Sequence, residues 1–164
     1  MLLCPPFTEE WRKSPDGKRF AQGGWYPCSY RRASAYIEGP NPLTWDGIYH
    51  FLAEDCEVID VPSGWTSIGP GGYKQLLLFF ADAFPNSSVE VTNVFATEQE
   101  AVIEFVGRGA NSGPLHLPTG DVPATGRSVE LRFCDTIQIR KGKVVSVHIY
   151  YNVMTMLRQL GLAG

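Results

Sequence analysis

Residues 129–139 alternate between two chemical classes. The odd row reads Val129, Leu131, Phe133, Asp135, Ile137, Ile139, and the even row Glu130, Arg132, Cys134, Thr136, Gln138. A period of two is the signature of a β-strand with one face buried. Asp135 is the single charge in the apolar row. A carboxylate there must find partners or hold its proton more tightly than usual, because desolvation penalises the charged form.

The next segment extends the argument to a hairpin. Residues 140–143 are Arg-Lys-Gly-Lys, and a glycine third in the loop suits a three-residue turn with a bulge. That turn pairs Ile139 with Lys143 and Asp135 with Val147. Val145, Val147, Ile149 and Tyr151 then join the apolar face, while Ser146, His148 and Tyr150 join the polar one. A two-residue turn would instead set His148 opposite Asp135 and mix apolar with polar. A one-residue slip exchanges faces, so the bulged register is expected.

The remaining pattern is mixed. Residues 1–28, punctuated by proline and glycine, read as an irregular N-terminal arm, its four aromatics arguing for docking on the domain or on a partner. Helices are expected over 29–38 and 43–53, the second with Trp45, Ile48, Tyr49 and Leu52 on one face. A strand over 56–61 leads into a loop over 62–72. An apolar helix over 73–84 follows, then strands over 88–96 and 101–108, and a long loop over 109–126 that holds Asn111 and an exposed His116. Asn152 is placed to cap a closing helix, with Val153, Met156, Leu157 and Leu160 inward and Gly161 as its stop. Helices segregated from long antiparallel strands indicate an α+β domain over 29–164.

Composition excludes several classes. Net charge is −3 with no basic run, which argues against nucleic acid. No apolar stretch reaches the ~18 residues of a membrane span, and the first residues lack a signal-peptide pattern. Cys4, Cys28, Cys56 and Cys134 have no metal-binding spacing, and His50, His116 and His148 are scattered. Four free thiols in a reducing cytoplasm and no metal are expected.

Within this frame a resemblance emerges. Pro123-Ala124-Thr125-Gly126-Arg127, Asp135, Lys141-Gly142-Lys143-Val144, His148-Ile149-Tyr150-Tyr151 and Leu157-Arg158-Gln159-Leu160-Gly161-Leu162 resemble the SnoaL-like polyketide cyclases. These belong to the nuclear transport factor 2-like superfamily, with ketosteroid isomerase. The resemblance implies a conical α+β barrel, a curved antiparallel sheet with helices on its concave face enclosing a pocket. It also implies homodimers packed through the sheet, with no metal or cofactor. The cyclases are expected to use an Asp on the last strand and a His on the strand before it. Aligned on Gly142 and Gln159-Leu160-Gly161, Ile149 takes the place of that Asp and Asp135 the place of that His. Asp60 matches a pocket Asn.

Asp135 is therefore the candidate acid or base, on the pocket face by alternation and by resemblance. Asp60 is a second catalytic candidate, expected to share the cavity and raise the proton affinity of one carboxyl. Tyr73, Trp65, Phe133, Ile149 and Tyr49 are candidate contacts for a small apolar molecule. Two readings stay open: an enzyme moving a proton on an apolar carbonyl compound by cyclisation, isomerisation or hydration, and a non-catalytic binding or dimerisation module.

Overall fold

The alternating run becomes the central strand of a sheet. The computed structural model of the protein describes residues 11–13, 19–21, 51–117 and 120–164. Strands β1 (Trp11–Lys13) and β2 (Arg19–Ala21) pair antiparallel, so this part of the arm carries regular pairing where sequence punctuation gave an irregular reading. The helix expected over 29–38, most of that over 43–53, and Tyr49 lie outside the described residues. Leu52 and Ala53, expected at the end of a helix, instead open β3 (Leu52–Asp60).

After β3 come β4 (Trp65–Ile68), helix α1 (Gly69–Ala83), β5 (Ser88–Ala96) and β6 (Glu100–Ala110). A small hairpin of β7 (Leu115–Leu117) and β8 (Gly120–Val122) follows. The chain closes with β9 (Ser128–Arg140), β10 (Lys143–Tyr151) and helix α2 (Val153–Leu160). Six strands form one sheet in the order β4-β3-β10-β9-β6-β5. Only β3 and β10 run parallel. The sheet has two edges, β4 and β5, and both helices pack on one side of it. The domain is α+β.

The helix α1 begins four residues before the apolar stripe that announces it. Gly69-Pro70-Gly71-Gly72, expected as loop, is its first turn. Proline is tolerated there because the first N–H groups of a helix have no internal partner. Glycine is required by close approach: a Cβ at Gly69 would stand 2.6 Å from the Glu54 carbonyl oxygen. The closing helix follows expectation. Asn152 Oδ1 accepts the Thr155 N–H at 2.9 Å, and Gly161 ends the helix in the left-handed conformation at φ 73°.

The β9–β10 hairpin reaches the expected faces by another route. Arg140 pairs with Lys143 across a two-residue turn, with Lys141 at φ 46° and Gly142 at φ 80°. Positive φ at both central residues is the hairpin turn that matches strand twist. The register then shifts between Val144 and Ser146, so Ile149 pairs with Asp135 and Val147 with Ile137. The expected pairs Ile139–Lys143 and Asp135–Val147 are thus replaced by Ile139–Val144 and Asp135–Ile149. From Ser146 onward the sorting of faces is kept, because Val145 is bulged out and absorbs the odd residue, but at the start of β10 it is Val144, and not Val145 as expected, that is buried opposite Ile139. His148 pairs with Thr136 on the polar face, and no Asp135–His148 couple forms.

Candidate functional site

One lateral row of the sheet organises the site. Trp65, Asp60, Ile149, Asp135, Ile103 and Val94 are consecutive partners across all six strands. Directly paired residues project to the same face. Ile149 therefore stands between two carboxylates. Asp60 is 3% exposed and Asp135 2%.

A cavity of about 110 Å³ lies between this face and α1. Asp135, Ile149, Tyr73 and Phe133 all line it, as the sequence led one to expect. Asp135 is the one carboxylate in the lining among the described residues. Arg108 also lines it, but its guanidinium is held by Glu130 at 2.7 Å and Glu90 at 2.9 Å. The rest of the wall is almost wholly apolar, supplied by α1 through Leu76, Leu77 and Phe80 and by the sheet through Phe105 and Leu131.

Phe105, Phe80 and Leu131 were not singled out from sequence as ligand contacts. Phe105 shares the inward row of β6 with Ile103, and that alternation is the signal that finds it. Its ring stacks on Phe133 at 4.8 Å between centroids with an interplanar angle of 3°. Phe80 meets Phe133 edge-on at 6.0 Å. Tyr151 lies against Phe133 at 5.1 Å.

Asp60 occupies a different environment. It lies two strands from Asp135, roughly 10 Å at ~4.8 Å per strand spacing, and does not line the cavity. The expectation of a shared cavity is corrected accordingly. The cause is Ile149, whose side chain fills the row between them. Ser63 donates to Asp60 Oδ2, and Tyr151 OH does so at 3.5 Å. Burial pushes the Asp60 carboxyl above its ordinary value, while the bonds from Ser63 and Tyr151 pull it partly back. Asp60 Oδ1 is buried with no hydrogen-bond partner among the described residues. Trp65, paired with Asp60 on edge strand β4, packs against the core and is also absent from the cavity wall.

The 109–126 segment, expected as loop, contains β7 and β8 and is held by Asn111. This side chain is fully buried. Its amide donates to the carbonyls of Ala83 at 3.1 Å and Gly113 at 2.9 Å. Its Oδ1 accepts from the Thr125 N–H at 2.8 Å and hydroxyl at 3.0 Å. Asn111 thus ties the end of α1 to both ends of the segment. His116 is exposed and bonds Asp121 at 2.8 Å across the small hairpin.

The opposite face of the sheet carries no helix among the described residues. Phe95, Val102, Thr136, His148 and Ile59 form one of its rows, flanked by Tyr150, Cys134 and Ile68. Phe95 is 58% exposed and Ile68 63%. His148 Nε2 lies 4.0 Å from Glu57. Cys56 and Cys134 are free thiols. Burial, then the charges of Asp55 and Glu57, push the Cys56 thiol up to about 12. Among the described residues no group of three or more metal-ligating side chains occurs, and no helix is long and apolar enough to cross a membrane.

The SnoaL-like polyketide cyclase family model matches residues 31–160. The chain belongs to that family. Solved structures support the same fold. A protein described as a SnoaL-like polyketide cyclase from Jannaschia sp. CCS1 superposes with a TM-score of 0.70 at 16% identity, covering 87% of this chain and 99% of that one. AclR of Streptomyces galilaeus, described as a hydroxylase, gives 0.67 at 19% identity over 83% of this chain and 88% of its own. A protein of ketosteroid isomerase-like fold from Catenulispora acidiphila, in complex with trimethylamine, gives 0.63 at 20% identity, over 82% and 95%. No curated protein sequence matches the chain. Within the SnoaL-like fold the described residues present one carboxylate to the cavity, with Ile149 as its lateral neighbour.

Proposed function

We propose that this SnoaL-like protein is a cofactor-independent acid/base catalyst acting on a small apolar carbonyl compound. The observation that carries the reading is Asp135, the single carboxylate among the described residues that line a mostly apolar cavity. A buried carboxylate beside a carbonyl substrate can take a proton from the α-carbon and leave an enolate. Returning the proton to another carbon isomerises the compound, and attack of the enolate on a second carbonyl closes a ring. Tyr73, which lines the cavity from α1, is the residue we assign to donate to the oxygen that gains charge. In such an apolar site a proton donor is worth far more than in water.

The test is deuterium exchange at the α-carbon of a methyl ketone such as 2-hexanone. Asp135→Asn keeps the shape and removes the base, a role typically worth about 10²- to 10⁴-fold in rate. Exchange should fall to the uncatalysed rate while ketone affinity is retained. Exchange that survives in Asp135→Asn but is lost in Asp60→Asn would move the base to Asp60.

A second reading is favoured by Ile149, which takes the place that the family resemblance gives to the cyclase Asp. With one carboxylate and no pair among its described residues, the cavity also suits a binding module that holds an apolar molecule without turnover. Tight ketone binding with no exchange in the wild type would select it.

We also infer that two copies associate through the sheet face that carries no described helix, and that the protein works in the cytoplasm. Phe95, Ile68 and Tyr150 on that face are exposed apolar groups set among polar neighbours, the composition expected of an interface.

A further inference from the structure

The inward row of β6 reads Ala101, Ile103, Phe105, Gly107, Gly109, and it ends in two residues with no side chain where the cavity approaches its exposed end. A Cβ at Gly107 would come within 3.1 Å of Cε2 of Phe133. Its absence lets the Phe133 ring lie across β6 and stack on Phe105. Past that ring the cavity continues along β9 to Leu131 and Val129, and along β5 to Val89, Ser88 and Ser87. Ser88 and Arg108 are paired and exposed, so the wall reaches solvent there. Asp135 sits at the buried end, in the row of Ile103. From Arg108 to Ile103 is five residues along β6, roughly 17 Å at ~3.4 Å per residue.

We propose that Gly107 determines specificity by ligand length, and that the cavity takes an elongated apolar molecule with its carbonyl at Asp135 and its body lying over Gly107. The assignment of the carbonyl end rests on the acid/base reading above. A compact ligand fills only the inner end. An extended one also covers Phe133, Leu131 and Val89, and each methylene buried there adds to affinity. A side chain at position 107 has two places to go. It displaces the Phe133 ring or stands in the channel, and either takes up the stretch that the body of a long ligand would occupy.

The experiment compares binding of 2-hexanone and 2-dodecanone, followed by isothermal titration calorimetry. The wild type should prefer the long ketone by about 10-fold or more. Gly107→Val should collapse that preference to about 3-fold or less. Val89→Phe fills the same stretch from β5 without pressing on Phe133. It should give the same collapse, and it decides the matter if Gly107→Val does not fold. A preference retained in folded variants, or absent from the wild type, overturns the proposal. The two readings fail separately. Exchange without length preference removes only the role of Gly107, and length preference without exchange removes only the proton chemistry.

Discussion

Asp60 and Asp135 face the same side of the sheet from opposite flanks of Ile149, and of the two it is Asp135 that lines the cavity. The same residue type has been given two surroundings. Asp60 is engaged by Ser63 and Tyr151 yet leaves one oxygen unpartnered. Asp135 lines a cavity whose described wall is mostly apolar.

That difference gives a pH prediction for Asp60. Its carboxyl holds its proton more tightly in the folded state than in the unfolded chain. The folded state then binds more protons between the ordinary value of 3.8 and the raised one, so stability falls as pH rises through that window. Asp60→Asn removes the penalty. The variant should melt above the wild type at pH 7, with the gain shrinking as pH falls toward 4. Each 1 kcal/mol corresponds to about 2–4 °C in a chain of this size. Melting curves across that range check it, and a gain independent of pH would count against it.

Asn111 should be among the costliest positions in the chain. Replacing it with alanine leaves the carbonyls of Ala83 and Gly113 and the Thr125 donors without their partner. At about 1–3 kcal/mol per buried group left unpaired, the loss should reach about 3 kcal/mol or more in urea unfolding. Asn111→Asp should fare little better, because a carboxylate cannot donate to two carbonyls. A loss below 1 kcal/mol in the alanine variant would show that water replaces the clamp.

Cys56 is expected to be inert. It is buried, and its thiol is pushed up to about 12, so little thiolate exists near neutrality. Iodoacetamide at pH 8 should leave the peptide containing Cys56 unmodified in native protein and modify it in urea. Labelling of native Cys56 at the rate of a free thiol would contradict the packing of β3.

The sheet face that carries no described helix gives the fourth expectation. Phe95→Glu with Tyr150→Glu places two charges on it without touching the cavity side. Sedimentation at micromolar concentration should show a dimer for the wild type and a monomer for the double variant. A monomeric wild type would refute the interface.

Much of this fold is legible because its longest strand is amphipathic. The limits of β9, the helix α2 with its Asn152 cap and Gly161 stop, and the inward placement of Asp135 and Ile149 all follow from local pattern. What escaped had physical reasons. Gly69-Pro70-Gly71-Gly72 has the composition of a loop, and only the proximity of the Glu54 carbonyl to Gly69 shows why the helix begins on a glycine. Asn111 reads as a loop residue because its four hydrogen-bond partners are distant in sequence or are backbone groups. Asp60 and Trp65 were placed at the ligand by resemblance and by flanking position, but the bulk of Ile149 and the edge position of β4 keep them from the cavity wall. The hairpin turn was misjudged by one residue, yet from Ser146 onward the faces came out as expected, since burial rather than turn length dictates which rows meet.

The bulge at Val145 has a consequence for how this hairpin tolerates change in length. Every partner after it, from Ser146 to Tyr151, is already in the register that a strand lacking Val145 would adopt. Removal of Val145 therefore leaves Ile149 beside Asp135 and His148 on the far side. Removal of a residue between 146 and 148 would bring the wrong parity to the cavity unless the bulge were ironed out to compensate. Val145 is a store of one residue of slack, the point on β10 where chain length and cavity chemistry are uncoupled.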